Sequence, residues 1–358
     1  MRLVSTLKKK DLAAKKVLLR ADLDVALKNG KVLEPFRLDR ALLTIKFLLK
    51  NGAKVTVIGH IGEKGESLGP VIKWLKAKVK SKNLTILENL RRDKGEETNN
   101  LGFAKKLASG FDLYVNDAFA VSHRPHASII TLPKLLPAYA GLEFEREVKT
   151  LASLKKPAKP LLLIIGGAKF ESKLLVINNF LVSAHKIFIG GALANLFFKR
   201  LGYETGQSYL DPHSPSITAL LKSLKITLPI DVIVKRIDGK KVIVKPEEVR
   251  SGDVIVDAGP ESLKLLTKEI TQAKTIIWNG PLGKFEAGYS EGTKSLAAAI
   301  SKSKAKVIIG GGDTVAALDS LKKLMPLMKL PHLFISTGGG AMLEYLATGT
   351  LPGIEALE

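Results

Sequence analysis

Apolar residues fall in short runs, each closed by a polar or glycine residue, at 17–21, 55–59, 84–87, 113–116, 161–165, 187–190, 230–234, 254–257, 275–278, 307–309 and 333–335. Runs of this length, rich in Val, Ile and Leu, predict buried strands. Between most of them the spacing changes to the helical period, as at Leu42, Ile45, Leu48 and Leu49. Strand–helix alternation predicts an α/β protein whose parallel sheets are covered by helices on both faces. Eleven strands exceed one usual sheet and predict two doubly wound, Rossmann-like lobes. Asn29-Gly30 between two apolar residues predicts a hairpin turn. Phe144, Val148, Leu151 and Leu154 share one helical face and two prolines follow at 157 and 160, so a hinge helix and linker is expected at 143–160. The lobes are then 1–142 and 161–344.

In open α/β sheets ligands bind beyond the carboxyl ends of the strands. In the first half those positions carry side chains: Asp22, Asp24, His60, Glu88, Asn89, Asn116 and Asp117. In the second half they carry mainly glycine, at 166–167, 190–191, 280, 310–312 and 338–340, with Asp231, Asp257 and Asn279 among them. Glycine lets the backbone approach a ligand, and a following helix offers unpaired N–H groups, so the four glycine clusters at 166–167, 190–191, 310–312 and 338–340 predict a phosphate or nucleotide site. The fingerprints of P-loop proteins and ordinary dinucleotide binders are both absent. Lys169 and Lys173 are four apart and would share a helix face, aiming two ammonium groups into one crevice. Asp313 is equally a Mg2+ ligand or a helix cap. Arg37, His60, His123 and Arg124 are candidates for holding an anionic substrate.

Composition narrows the classes. The chain has 358 residues and no cysteine, which excludes disulfides, thiolate metal sites and thiol catalysis. No apolar run is long enough for a membrane-spanning helix, and the basic start lacks the apolar region of a secretory signal. A cytoplasmic protein is expected. Lys and Arg number 56 against 34 Asp and Glu, giving a net charge of +22. A field of that sign draws in polyanions; a general lysine bias accounts for the same excess. No aromatic-interleaved basic stripe suggests specific nucleic-acid binding.

Together the segments resemble one family, phosphoglycerate kinase, along essentially the whole chain. The motifs are RADLDV at 20–25, GHIG at 59–62, LENLR at 87–91, VNDAF at 115–119, GGAKFESK at 166–173, IGGALAN at 189–195, IWNGPLGKFE at 277–286, GGGDT at 310–314, STGGGA at 336–341 and LPGIEAL at 351–357. The resemblance implies an N-terminal lobe for 3-phosphoglycerate or 1,3-bisphosphoglycerate, a C-terminal lobe for Mg-ADP or Mg-ATP, closure about the hinge, and a tail at 345–358 packed on the N-terminal lobe. It also implies a monomer. It assigns Asp22, Asp24, Arg37, His60, Arg124 and Lys159 to the acid. Gly167, Lys169, Lys173, Gly190, Gly191, Asn279, Pro281, Glu286, Gly311, Gly312, Asp313 and Thr314 fall to the nucleotide, Asp313 also holding its Mg2+. Arg37, Lys173, Gly338 and Gly339 fall to the transferring phosphoryl group.

The departures gather on the acid's side. The family has Asn where this chain has Asp24, Arg at Glu63, Pro at Lys64 and Arg at Lys159. Lost charged contacts of this kind cost about 1–3 kcal/mol each, and Lys64 is a candidate to compensate. Ala120, Ala192, Gln207 and Arg92 are milder changes. The alternative reading is a nucleotide-binding relative with another acid substrate, or a non-catalytic polyanion binder.

Overall fold

The computed structural model describes the whole chain except residues 64, 213–215 and 321–323 and the side chains of Ser172, Leu324 and Met325. It contains two compact units, Met1–Ala152 with Thr348–Glu358, and Ser153–Ala347.

The first unit is built on β1 (Lys16–Ala21), β4 (Lys54–Ile58), β5 (Leu84–Ile86), β6 (Leu113–Asp117) and β7 (Ala138–Ala140). They form one parallel sheet in the order β5-β4-β1-β6-β7. The central strand β1 is inaccessible from Val17 onward, which is why its sequence is continuously apolar apart from Arg20. The helix Phe36–Lys50 lays Leu38, Leu42, Ile45 and Leu48 on this core, three and four residues apart. Burying each such side chain contributes about 1.5–3 kcal/mol. The hairpin turn at Asn29-Gly30 joins two short strands, β2 (Leu27–Lys28) and β3 (Lys31–Val32), with both turn residues at positive φ. The C-terminal segment closes on this unit: the Gly353 N–H donates to the Ser122 carbonyl at 2.8 Å. A Cβ at Gly353 would lie 2.6 Å from that of Ser122.

The second unit holds a six-stranded parallel sheet, ordered β10-β9-β8-β14-β15-β16. Its strands are β8 (Leu161–Ile165), β9 (Lys186–Ile189), β10 (Ile226–Thr227), β14 (Thr275–Asn279), β15 (Lys306–Gly310) and β16 (Leu333–Ile335). The runs at 230–234 and 254–257 do not join it. They form β11 (Val232–Lys235) and β13 (Val254–Ala258), which flank each other antiparallel, with β12 (Lys241–Val244) on the far edge of β11. The cause is local. Residues 237–239 make a tight turn between β11 and β12, with the Gly239 N–H donating to the Arg236 carbonyl, the Arg236 N–H donating to the Lys240 carbonyl and Gly239 at φ +83°. The chain doubles back there instead of crossing over a helix, and β13 pairs on the other edge of β11. Asp231 therefore precedes its strand instead of following it. Its carboxylate accepts the N–H groups of Glu261 and Ser262 and caps the helix Pro260–Gln272.

Candidate functional site

In the first unit the strand order reverses between β1 and β6, which places the crevice beyond their carboxyl ends, and the loop after β4 lies next to the loop after β1. Asp22, Asp24, Arg37 and His60 meet there. The Arg37 Nε lies 3.5 Å from Asp22 Oδ2, and its Nη1 donates to the Asp24 carbonyl at 2.9 Å. Asp24 Oδ1 accepts the Gly62 N–H at 2.9 Å and ties the two loops together. Desolvation pushes the buried Asp22 carboxyl up, and Arg37 opposes the shift. The Asp22 carboxylate in turn raises Arg37, which stays a cation.

Arg20 was not singled out by its motif, yet it orders the site. It is fully buried and donates from Nε to Ser128 Oγ at 3.0 Å and from Nη1 to the Ala21 carbonyl at 2.6 Å. Its Nη2 faces His60 Nδ1 at 3.0 Å. A guanidinium has only donors, so His60 Nδ1 must accept and the ring proton sits on Nε2. Burial first, and then Arg20, Arg91, His126 and Arg124, push the His60 pKa down, so the ring is neutral. His60 is thus a neutral donor aimed by Arg20. Arg91 is the other contributor that sequence reasoning passed over: Nη1 donates to the Gly62 carbonyl at 2.5 Å. The signal available was an arginine at the end of an apolar strand for Arg20 and one in the turn after β5 for Arg91. Arg124 is exposed and lowers the pKa values of His60, His123 and His126 through its charge. Glu63 is exposed, and Lys64 lies outside the described residues.

Lys159 does not fit the assignment. It is exposed and stands before β8, at the strand's amino end. The strand separates it from Gly166 by roughly 20 Å, whereas ligands in such sheets bind beyond the carboxyl ends.

In the second unit the loops after β8, β9, β14 and β15 pack backbone on backbone. Gly167 and Gly191 have φ of +82° and +59°. A Cβ at Gly191 would stand 2.6 Å from the Gly167 nitrogen, and one at Gly280 would stand 2.2 Å from the Gly166 carbonyl oxygen. Only glycine allows this approach. Gly190 serves packing, since a Cβ there would strike Leu282 at 2.6 Å. The loops border a cavity of ≈ 560 Å³ whose wall includes Gly167, Gly191, Pro281, Glu286 and Asp313. Asp257, read as a strand-end residue, lines the same wall; Asn195, Phe198, Tyr209 and Ile255 line it too and were not foreseen, because they come from segments distant in sequence.

Lys173 is only 7% exposed. Desolvation pushes its pKa down, the Asp313 carboxylate opposes this, and Lys169 adds to it. The two lysines do not share a helix face, because the helix begins at Glu171 and Lys169 lies in the loop before it. Instead the Lys173 Nζ donates to the Lys169 carbonyl at 3.1 Å. The Asn279 Nδ2 is buried without a hydrogen-bond partner, beside Gly311 at φ +106°. Thr314 differs from its assignment. Its buried hydroxyl accepts the Gly280 N–H at 2.7 Å and donates to the Gly310 carbonyl at 2.9 Å, so it holds the turn. The helix Gly312–Ser320 carries Asp313 in its first turn, exposed. The Gly338 N–H, assigned to the phosphoryl group, donates to Ser336 Oγ at 3.2 Å. Gly339 opens the helix Gly339–Thr348, whose first turn has amides without intrahelical partners.

A cationic crevice on one parallel α/β unit and a glycine-lined cavity with a buried ammonium on another are the equipment of a phosphotransferase. The profile of the family "Phosphoglycerate kinase" matches residues 7–81 and 64–349. The phosphoglycerate kinase of Caulobacter vibrioides is 38% identical over 396 residues, 99% of each chain. That of Dictyoglomus turgidum is 38% identical over 391 residues, 98% of each. The solved structure of phosphoglycerate kinase from Coxiella burnetii superposes with a TM-score of 0.82 at 35% identity, covering 99% of this chain and 98% of that one. The Pyrococcus horikoshii enzyme gives 0.83 at 26% identity, covering 100% and 98%. The chain belongs to the phosphoglycerate kinase family.

Proposed function

We propose that this chain catalyses reversible phosphoryl transfer between 1,3-bisphosphoglycerate and Mg-ADP, giving 3-phosphoglycerate and Mg-ATP. Family membership supports the reaction, and the residue roles rest on the two crevices. The observation that carries the reading is Lys173, an ammonium held almost out of water in the field of Asp313 and next to the Gly167 turn that borders the cavity. A desolvated cation with no fixed carboxylate hydrogen bond is suited to the negative oxygens of a phosphoryl group in transit.

In the forward direction the acyl C–O–P linkage breaks at phosphorus and an oxygen of the ADP β-phosphate forms the new bond. The acid leaves as a carboxylate. Both the attacking and leaving oxygens are already anionic, so no general base is required. The work is positioning and charge neutralisation. Asp22, Arg37, His60 Nε2–H and Arg124 take the acid. The turns at Gly167, Gly191 and Pro281, with Glu286, take the nucleoside, while Lys169, Lys173, Asn279 and the amides after Gly311 and Gly339 take the phosphates.

No group of three His, Cys, Asp or Glu among the described residues could hold a metal alone. A single exposed carboxylate, Asp313, at a phosphate-binding helix start suits Mg2+ that arrives on the nucleotide, since Mg2+ is usually held by one or two carboxylates plus substrate phosphates. The metal, when bound, neutralises phosphate charge.

A coupled assay with 3-phosphoglycerate and Mg-ATP tests the proposal. Lys173→Ala should lower kcat by about 10²–10³-fold while calorimetry still detects nucleotide. Turnover unaffected by the substitution rejects the role of Lys173. No turnover by the parent chain rejects the reaction.

A further inference from the structure

The anion crevice of the first unit already contains an anion that the fold does not need. The two oxygens of Asp24 do different things. Oδ1 accepts the Gly62 N–H at 2.9 Å and secures the turn after β4, where Gly62 sits at φ +55°. Oδ2 stands 3.9 Å from Arg37 Nη1 and 3.7 Å from His60 Nε2, too far for a hydrogen bond to either. The side chain is 37% exposed, so this oxygen is displaceable. The structural duty needs only an acceptor oxygen, which a neutral amide supplies equally well. The negative charge is additional, and it faces the cation and the N–H donor best placed to hold an acidic ligand. Arg37 is already answered by Asp22 at 3.5 Å, so the second carboxylate is not required to neutralise it.

We propose that Asp24 is an internal competitor for the anion site. Its Oδ2 occupies the field of Arg37 and His60 until an acid displaces it. A lone inorganic anion gains too little to do so. A ligand presenting several negative oxygens to Arg37, His60 and Arg124 together gains enough. The charge thus lowers affinity and raises selectivity, a repulsive element set against the wrong ligand. The inference rests on the kinase reading only for the identity of the displacing acid.

The test is calorimetric titration of inorganic sulfate and, separately, 3-phosphoglycerate into the parent chain, Asp24→Asn and Asp24→Ala. In Asp24→Asn the amide oxygen retains the Gly62 bond, and both ligands should bind about tenfold tighter, with the larger gain for sulfate. Asp24→Ala also removes the charge but loses the Gly62 bond, so it should bind sulfate more tightly than the parent despite a lower melting temperature. A merely structural Asp24 gives a different pattern, with binding unchanged in Asp24→Asn, which keeps the Gly62 bond, and weaker in Asp24→Ala, which loses it. Sulfate affinity unchanged or reduced in Asp24→Asn overturns the competitor role, as does a tightening confined to Asp24→Ala. If sulfate tightens while 3-phosphoglycerate binds none of the three proteins, the competitor role stands and the kinase reading fails.

Discussion

Single residues here carry duties that their neighbours in sequence do not reveal. Asp117 ends β6, and its Oδ1 accepts the N–H groups of Glu143 at 2.9 Å and Phe144 at 3.1 Å. It thereby caps the helix Leu142–Ala152 from 26 residues away. Burial pushes its pKa up to about 7. A carboxyl whose native pKa exceeds its unfolded value binds its proton more tightly when folded. Its contribution is therefore fully present below about pH 4 and is lost as pH rises to about 7, with a slope of at most ~1.4 kcal/mol per pH unit. Denaturant titrations from pH 4 to 8 should show this loss in the parent chain. Asp117→Asn should flatten the dependence. A parent and variant with parallel pH profiles would exclude Asp117 as its source. The neutral, Nε2-protonated state of His60 is likewise set by a partner 40 residues away, Arg20.

At the scale of elements, the glycine turns divide into two kinds. Gly191 has φ +59° and no room for a Cβ, with the Gly167 nitrogen 2.6 Å from where it would stand. Gly191→Ala should destabilise the second unit by about 1–3 kcal/mol and weaken ADP binding with it. Gly312 opens a helix and has nothing within 4 Å of a Cβ. Gly312→Ala should leave the melting temperature within a degree or two, since Ala favours helices over Gly. It should still weaken ADP by about tenfold if phosphate approaches that turn. Thermal unfolding with ADP calorimetry separates the cases; equal stability losses in both variants would contradict this division. The eleven apolar runs all became strands, because a continuous apolar stretch between turn signals has few other places to go. Which sheet each joined was less legible. The run at 230–234 turned back through the tight turn at 237–239 into β12, and the run at 254–257 then paired antiparallel on its other edge, outside the parallel sheet. Short strands such as β7 and β10, with three and two residues, carry too little pattern to be read.

Across the whole molecule a net charge of +22, where it acts on substrate, predicts an electrostatic bias toward anionic ligands. The value of kcat/KM for Mg-ATP and 3-phosphoglycerate should fall as ionic strength rises from 0.05 to 0.5 M, as the screening length shrinks below about 10 Å. A flat profile would assign the charge to lysine bias alone. No helix among the described residues is long and apolar enough to cross a membrane. From the sequence alone came the α/β class, the strands, the glycine turns and the motif set that marks the family, because each is written in local spacing and residue type. Only the tertiary structure decided that Lys173 is buried and Lys169 is not, that Arg20 fixes the His60 tautomer, that Lys159 stands at the wrong end of its strand, and that Tyr209 and Asn195 wall the cavity. Burial, tautomer and proximity depend on which distant segments pack together, and no local window contains that information.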